Sequence, residues 1–171
     1  EVGLMAATKI RQKGYTEAAI FASRHSYFAT SQRVQAFISS CERLGIETDE
    51  KYILKGSSTR NGGYEIGKQY AALKEPPKMI FCDSDAIALG ALRAFHEEGI
   101  SVPGDAELLS IGMLDPEAAS YYVPSLSVVE MPNKEIGQQV LRLMRKKVLN
   151  NDISSEHVKV HAKLMLRESF S

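Results

Sequence analysis

The chain has 171 residues, 44% hydrophobic and 25% charged, with 21 Lys and Arg set against 21 Asp and Glu. Such a chain can bury a core without metals or disulfides, and its zero net charge lacks the basic excess of a nucleic-acid-binding domain. No run approaches the roughly 20 apolar residues of a membrane span, and no signal peptide is present. The basic residues Arg142, Arg145, Lys146 and Lys147 fall late in a predicted helix, where the helix dipole favours cations. Cys41 and Cys82 sit in apolar surroundings without CxxC spacing and read as free buried thiols of a reducing cytosol. The opening at Glu1, directly in an amphipathic helix, reads as part of a longer protein.

Val2 to Lys13 carries Val2, Met5, Ala6 and Ile10 at helical spacing, with Gly14 as a stop. Ala18 to Ala22 is a short apolar run and reads as a buried strand. Thr30 or Ser31 caps a helix to Leu44, with Val34, Phe37, Ile38 and Cys41 on one face and Gly45 after it. The unit then repeats. Tyr52 to Leu54, Lys78 to Cys82 and Leu108 to Gly112 read as strands. Asn61 to Leu73 and Asp85 to Glu98 read as helices, the second stopped by Gly99. A short helix is expected near Asp115 to Tyr122.

Helices between strands make parallel crossovers the natural connection. The prediction is an α/β fold: a doubly wound, mainly parallel sheet, about five strands wide, with helices on both faces. After Pro124 a strand is expected near Ser127 to Glu130. A long helix follows from Asn133 to Leu149, with Ile136, Val140, Leu143, Met144 and Leu149 on one side. Val158, Val160, Ala162, Leu164 and Leu166 alternate and predict a strand over His157 to Arg167.

Open α/β sheets bind ligands outside the carboxyl ends of their strands. The residues there are Ser23 to Tyr27 with Arg33 in the next helix, Gly56 to Gly63, Asp83 to Asp85, and Met113 to Asp115. Their hydroxyls, carboxylates and guanidinium suit a small polyhydroxylated or anionic ligand. Each has a plainer reading. Asp85 and Asp115 fit helix N-caps, as do Ser57, Ser58 and Asn61; Arg33 fits a surface ion pair, and His25 a solvated loop residue. GxGxxG and GxxxxGK[ST] do not occur, nor do HExxH, GxSxG or a Cys/His set with ligand spacing. The sequence therefore offers no cofactor, no metal and no catalytic residues.

At these same turns the chain resembles the lactose/galactose (LacI/GalR) repressors. Lys13-Gly14-Tyr15-Thr16-Glu17-Ala18-Ala19-Ile20 looks like the family's "GH-x-x-IA". Ser31 to Phe37 resembles "x-x-R-x-x-GF", and Phe81 to Leu92 resembles "F-x-x-ND-x-x-A-x-GAL". Gly99 to Asp105 is similar to "G-hydrophobic-x-VP-x-D", and Tyr122 to Val129 to "P-x-LTTI". The likeness runs in order through essentially the whole chain.

The resemblance implies a type I periplasmic-binding-protein-like core. Residues 1–126 would form its C-terminal lobe, 127–152 a strand and helix of the N-terminal lobe, and 153–171 a return strand and tail. The DNA-binding headpiece and most of the N-terminal lobe would lie outside this chain. It also implies effector contacts at Arg33, Ser58, Ser84, Asp85, Leu114 and Met131. Of these, Arg33 matches the family arginine. Ser84 stands for a frequent asparagine, Leu114 for an aspartate, Met131 for a glutamine and Ser58 for an aromatic. Losing the carboxylate at 114 while keeping Arg33 points to a phosphorylated or acidic effector rather than a plain sugar. Ile87, Leu89 and Tyr122 would lie at a homodimer interface. The implied protein is a cytoplasmic repressor without enzymatic activity, whose partners are a sugar or sugar phosphate and, through the headpiece, operator DNA, with no membrane partner. The alternative is a sugar-binding protein of a transport system.

Overall fold

The computed structural model describes residues 1–24, 28–112, 117–149 and 155–171. Its strands are β1 (Ala19–Ser23), β2 (Ile53–Gly56), β3 (Met79–Cys82), β4 (Glu107–Gly112), β5 (Ser127–Glu130) and β6 (Lys163–Met165). Its helices are α1 (Val2–Gln12), α2 (Phe28–Leu44), α3 (Arg60–Ala71), α4 (Asp85–Glu98) and α5 (Asn133–Leu149). The strands form one sheet in the order β2-β1-β3-β4-β5-β6. The first five are parallel and β6 closes the edge antiparallel to β5. The order reverses between β1 and β3, so that junction is the topological switch point.

The strands alternate their side chains between two cores, as a period of two requires. Ile20, Phe81, Leu109 and Val129 face α1 and α2, while Phe21, Ile80, Leu108 and Val128 face α3 and α4. The doubly wound reading is met, with six strands rather than five. The added strand is β6, which closes the edge beside β5. β5 pairs with β4 over Leu109–Ser127 to Gly112–Glu130 and so lies in the same sheet as the strands of residues 1–126. Val128 and Val129 point to opposite faces and both are buried, the mark of an interior strand. The strand expected over 157–167 is shorter, because only Lys163–Met165 finds a ladder; Val158 is exposed. Gly14, Gly45 and Gly99, read as helix stops, all take positive φ.

Helices α3 and α4 pack unusually close. A Cβ at Gly90 would stand 1.9 Å from the Arg60 carbonyl oxygen, and one at Gly63 would stand 2.1 Å from that of Ile87. α3 and α4 thus meet backbone to backbone. The last residues are wedged under the sheet. Phe170 is fully buried, and Ser169 Oγ donates to the Leu108 carbonyl at 2.8 Å while accepting the Ser127 N–H at 2.8 Å. Lys13 holds this corner, pairing with Glu107 at 2.6 Å and lying 4.5 Å from the centre of the Phe170 ring. By contrast α5 buries none of its residues.

Burial keeps protons on several groups. It pushes Tyr70, whose hydroxyl donates to Pro77 O, up to about 12, and Cys41 likewise up to about 12. Tyr15 is also pushed up to about 12, by burial and then by its hydrogen bond to Glu107. In the unfolded chain these groups ionise near 10.0 for Tyr and 9.0 for Cys. An acid raised on folding contributes stability that is intact below its unfolded pKa and is lost as pH climbs toward its folded value. The urea midpoint is therefore expected to hold near neutrality and to fall steadily between about pH 9 and 12. A midpoint unchanged at about pH 11 would contradict these burial assignments.

Candidate functional site

The carboxyl ends of β1, β2 and β3 lead directly into α2, α3 and α4, so three helix N-termini converge at one edge of the sheet. Their free N–H groups and dipoles make that edge electropositive. The turns are tied together by backbone. Arg24 N–H donates to Gly56 O at 2.6 Å and its guanidinium to Lys55 O at 3.2 Å, joining the ends of β1 and β2. Asp83, 1% exposed, joins β1 to β3: its Oδ2 accepts the Ser23 N–H at 2.7 Å. On the far side Met131 N–H donates to Gly112 O at 3.1 Å, joining the ends of β4 and β5.

Most of the effector contacts expected from sequence fall on this edge. Arg33 lies in the second turn of α2, half-buried. Ser58 is exposed in the turn before α3. It does not cap that helix; Thr59 does, its Oγ1 accepting the Gly62 N–H at 3.1 Å. Nor does Asn61, whose side chain donates to Glu65 at 2.9 Å. Ser84 rather than Asp85 is the N-cap residue of α4, with no side-chain capping bond, and Asp85 is the first helical residue, 5% exposed. Met131 is half-buried beyond β5, packed against the α1–α2 core. It borders a groove lined by Glu130, Pro132, Lys134, Gln138 and Lys163. Leu114, with His25 and Asp115, lies outside the described residues. The sequence marks Asp83 only as part of a polar turn, yet among the described residues it is the most buried acid at this edge. Its one sequence signal is an acid directly following the apolar run Met79 to Cys82.

Other features lie elsewhere or lack reactivity. An apolar groove between Val102, Pro103, Val123, Pro124 and Leu166 opens at the opposite end of the sheet. Burial raises the Cys41 thiol to about 12 and raises that of Cys82, with Asp83 nearby adding to the effect. A thiol so held is a poor nucleophile. Among the described residues no group of three His, Cys, Asp or Glu could hold a metal, and no helix is long and apolar enough to cross a membrane.

The expected interface residues separate. Ile87 is fully buried with Ala91 and Phe95 against the sheet, so it cannot meet a partner; sequence placed it there because α4 is apolar on more than one side. Leu89 and Tyr122 do reach the surface, where they line a shallow groove with Leu92, Arg93, His96 and Val123.

The family model of the periplasmic binding protein-like domain matches residues 7–170. The chain belongs to this family. Its relatives make it a LacI/GalR-type effector-binding domain. It is 27% identical over 169 residues to the HTH-type transcriptional repressor PurR of Mannheimia succiniciproducens, covering 99% of this chain and 50% of that protein. The chain therefore spans about half the length of such repressors. A LacI family transcription regulator from Clostridium acetobutylicum has a similar structure, with a TM-score of 0.91 and 30% identity over 97% of this chain and 62% of that one. A LacI family regulator from Enterococcus faecium with bound ribose matches with a TM-score of 0.85 at 20% identity, over 99% of this chain and 62% of that one, and shows the fold alone.

Proposed function

We propose that this domain is the effector-sensing part of a cytoplasmic LacI-type transcription repressor and carries out no catalysis. It binds a sugar or sugar phosphate at the carboxyl ends of β1 to β5, using Arg33, Ser58, Ser84, Asp85, Leu114 and Met131. The observation that carries the reading is that the family relationship spans nearly the whole chain, while the expected contacts that are described follow the carboxyl ends of β1, β2, β3 and β5. Ribose in the Enterococcus regulator makes ribose a first ligand to try.

In the complete protein α5 packs on a second lobe. Support comes from its stripe of Val140, Leu141, Met144, Val148 and Leu149, 48% to 76% exposed. Ligand closes the two lobes, and closure alters operator binding by a headpiece outside this chain, which makes the two sites allosterically coupled. The groove at Leu89 and Tyr122 is the subunit contact of a homodimer.

Arg33 tests the site. Removing a charge-assisted hydrogen bond costs about 1.5–3 kcal/mol, so Arg33→Ala in the full-length protein is expected to weaken effector binding by at least about tenfold. The fold should survive, since Arg33 is only half-buried. Titration calorimetry returning the wild-type affinity would remove Arg33 from the site and with it the present placement of the effector.

A further inference from the structure

At the β1–β3 junction two buried polar atoms are left without partners. Only one oxygen of Asp83 is used: Oδ2 accepts the Ser23 N–H, and Oδ1 accepts nothing. Beside it Ser84 Oγ is also buried and unpartnered. Ser84 occupies the N-cap position of α4, where a hydroxyl ordinarily accepts from the first turn of its helix, and here it does not. Folded chains rarely leave buried polar groups unpaired, and those that remain call for a specific reason. These two are adjacent in sequence and stand at the switch point, where open α/β sheets receive ligands. An ionised carboxylate offers only acceptor capacity, so what completes Asp83 is a donor. Two neighbouring backbone donors are already spent, Ser23 N–H on Oδ2 and the Asp83 N–H on Phe21 O at 3.0 Å.

We propose that Asp83 is a specificity-determining residue of the effector site, its Oδ1 accepting a hydrogen bond from a hydroxyl or amino group of the effector, with Ser84 Oγ as the adjoining contact. The inference rests on the effector reading given above. Because both atoms are closed off from solvent in this structure, the donor reaches them only as the crevice opens between the ends of β1 and β3. The finished contact is then shielded from competing water. The chemistry selected is definite. A phosphate or carboxylate oxygen at this point would meet a like charge, whereas a neutral polyol or an amine is accepted. Any anionic group of the effector must therefore sit on another side of the crevice.

The test uses the full-length protein and Asp83→Asn. Asparagine keeps an oxygen for the Ser23 N–H and places an NH₂ where the free oxygen was, so the shape is held while the hydrogen-bonding polarity inverts. D-ribose, D-glucose, D-glucosamine and glucose 6-phosphate are the probes, read by calorimetry and thermal shift. The tightest wild-type binder among them is expected to lose at least about tenfold in affinity with Asp83→Asn, at a nearly unchanged unliganded Tm, and less with Ser84→Ala. Wild-type affinity in Asp83→Asn would overturn the proposal and leave Asp83 as a clamp between strands. Should Asp83→Asn not fold, monodeoxy analogues of the bound sugar on the wild-type protein decide. One of them must lose about tenfold, as a site built around a buried acceptor requires, and a flat series overturns the proposal. If no probe binds the wild-type protein, the effector reading itself fails and this inference falls with it.

Discussion

Gly90→Ala is expected to destabilise the domain by about 3 kcal/mol, a large effect for one added methyl group. The new Cβ would stand 1.9 Å from Arg60 O, 2.5 Å from Tyr64 N and 2.8 Å from the Gly63 carbonyl carbon. All three are backbone atoms of α3, so no side chain can rotate away. Relief requires α3 to retreat by about 1.5 Å, the gap between 1.9 Å and an ordinary 3.4 Å contact. That retreat loosens Ile66 and Tyr70 from the core they share with Phe95 and Phe21. It also shifts the turn at Ser57 to Thr59 relative to Ser84 and Asp85, so the candidate site would be distorted together with the core. Gly137→Ala is the control. Nothing lies within 4 Å of a Cβ there, and glycine in an exposed helix costs roughly 0.5–1 kcal/mol relative to alanine, so this change should stabilise α5 slightly. Urea denaturation of the two variants reads both signs. A Gly90→Ala midpoint equal to that of wild type would mean that the helices do not meet through their backbones.

Phe170→Ala is expected to cost about 3–5 kcal/mol, although the residue is the last but one in the chain. The ring is fully buried in the same core as Ile10, Leu109 and Val129, with Tyr15 at 6.5 Å between ring centres. The neighbours of the cavity cannot collapse easily, because Ser169 and Glu168 pin the backbone at the start of β5: Glu168 accepts from Ser125 N–H at 2.7 Å and from its hydroxyl at 2.9 Å. Ser169→Ala should cost less, about 1–3 kcal/mol, from leaving the Ser127 N–H and the Leu108 carbonyl unpaired. Chemical denaturation with a loss below about 1 kcal/mol for Phe170→Ala would show that the tail is appended to the domain rather than built into it.

What the sequence made legible was local. α4 was read with its true bounds because an apolar period of 3.6 is followed by Gly99, which alone settles where the helix stops. β5 was found at Ser127–Glu130, yet its place beside β4 was not, since a four-residue apolar run says nothing about which strand it joins. The alternation from Val158 to Leu166 overreached for the same reason: the pattern continues, but ladder partners exist only for Lys163–Met165. Ile87 was misplaced although its own spacing held the answer. Ile87, Ala88, Ala91 and Phe95 belong to the core beneath the sheet and Ala94 packs on Gly67 of α3, leaving Leu89 and Leu92 for the flank. Sequence alone does not single out Asp83, because acids after strands are ordinarily solvated; its burial comes from β1, sixty residues earlier in the chain.

Helix α5 has no buried residue, so apart from the ion pairs of Arg142 and Lys146 with Glu156 its backbone hydrogen bonds rest on its own cooperativity. Seventeen residues are barely enough to hold a helix in water unaided. Its amide protons therefore exchange with deuterium through local fraying, while those of β1, β3 and β4 wait for the sheet itself to open. The two populations separate in time within one chain. Whatever comes to rest on Val140 and Met144 would slow exchange in α5 while leaving the sheet unchanged, so the helix is a built-in reporter of when its apolar stripe is covered.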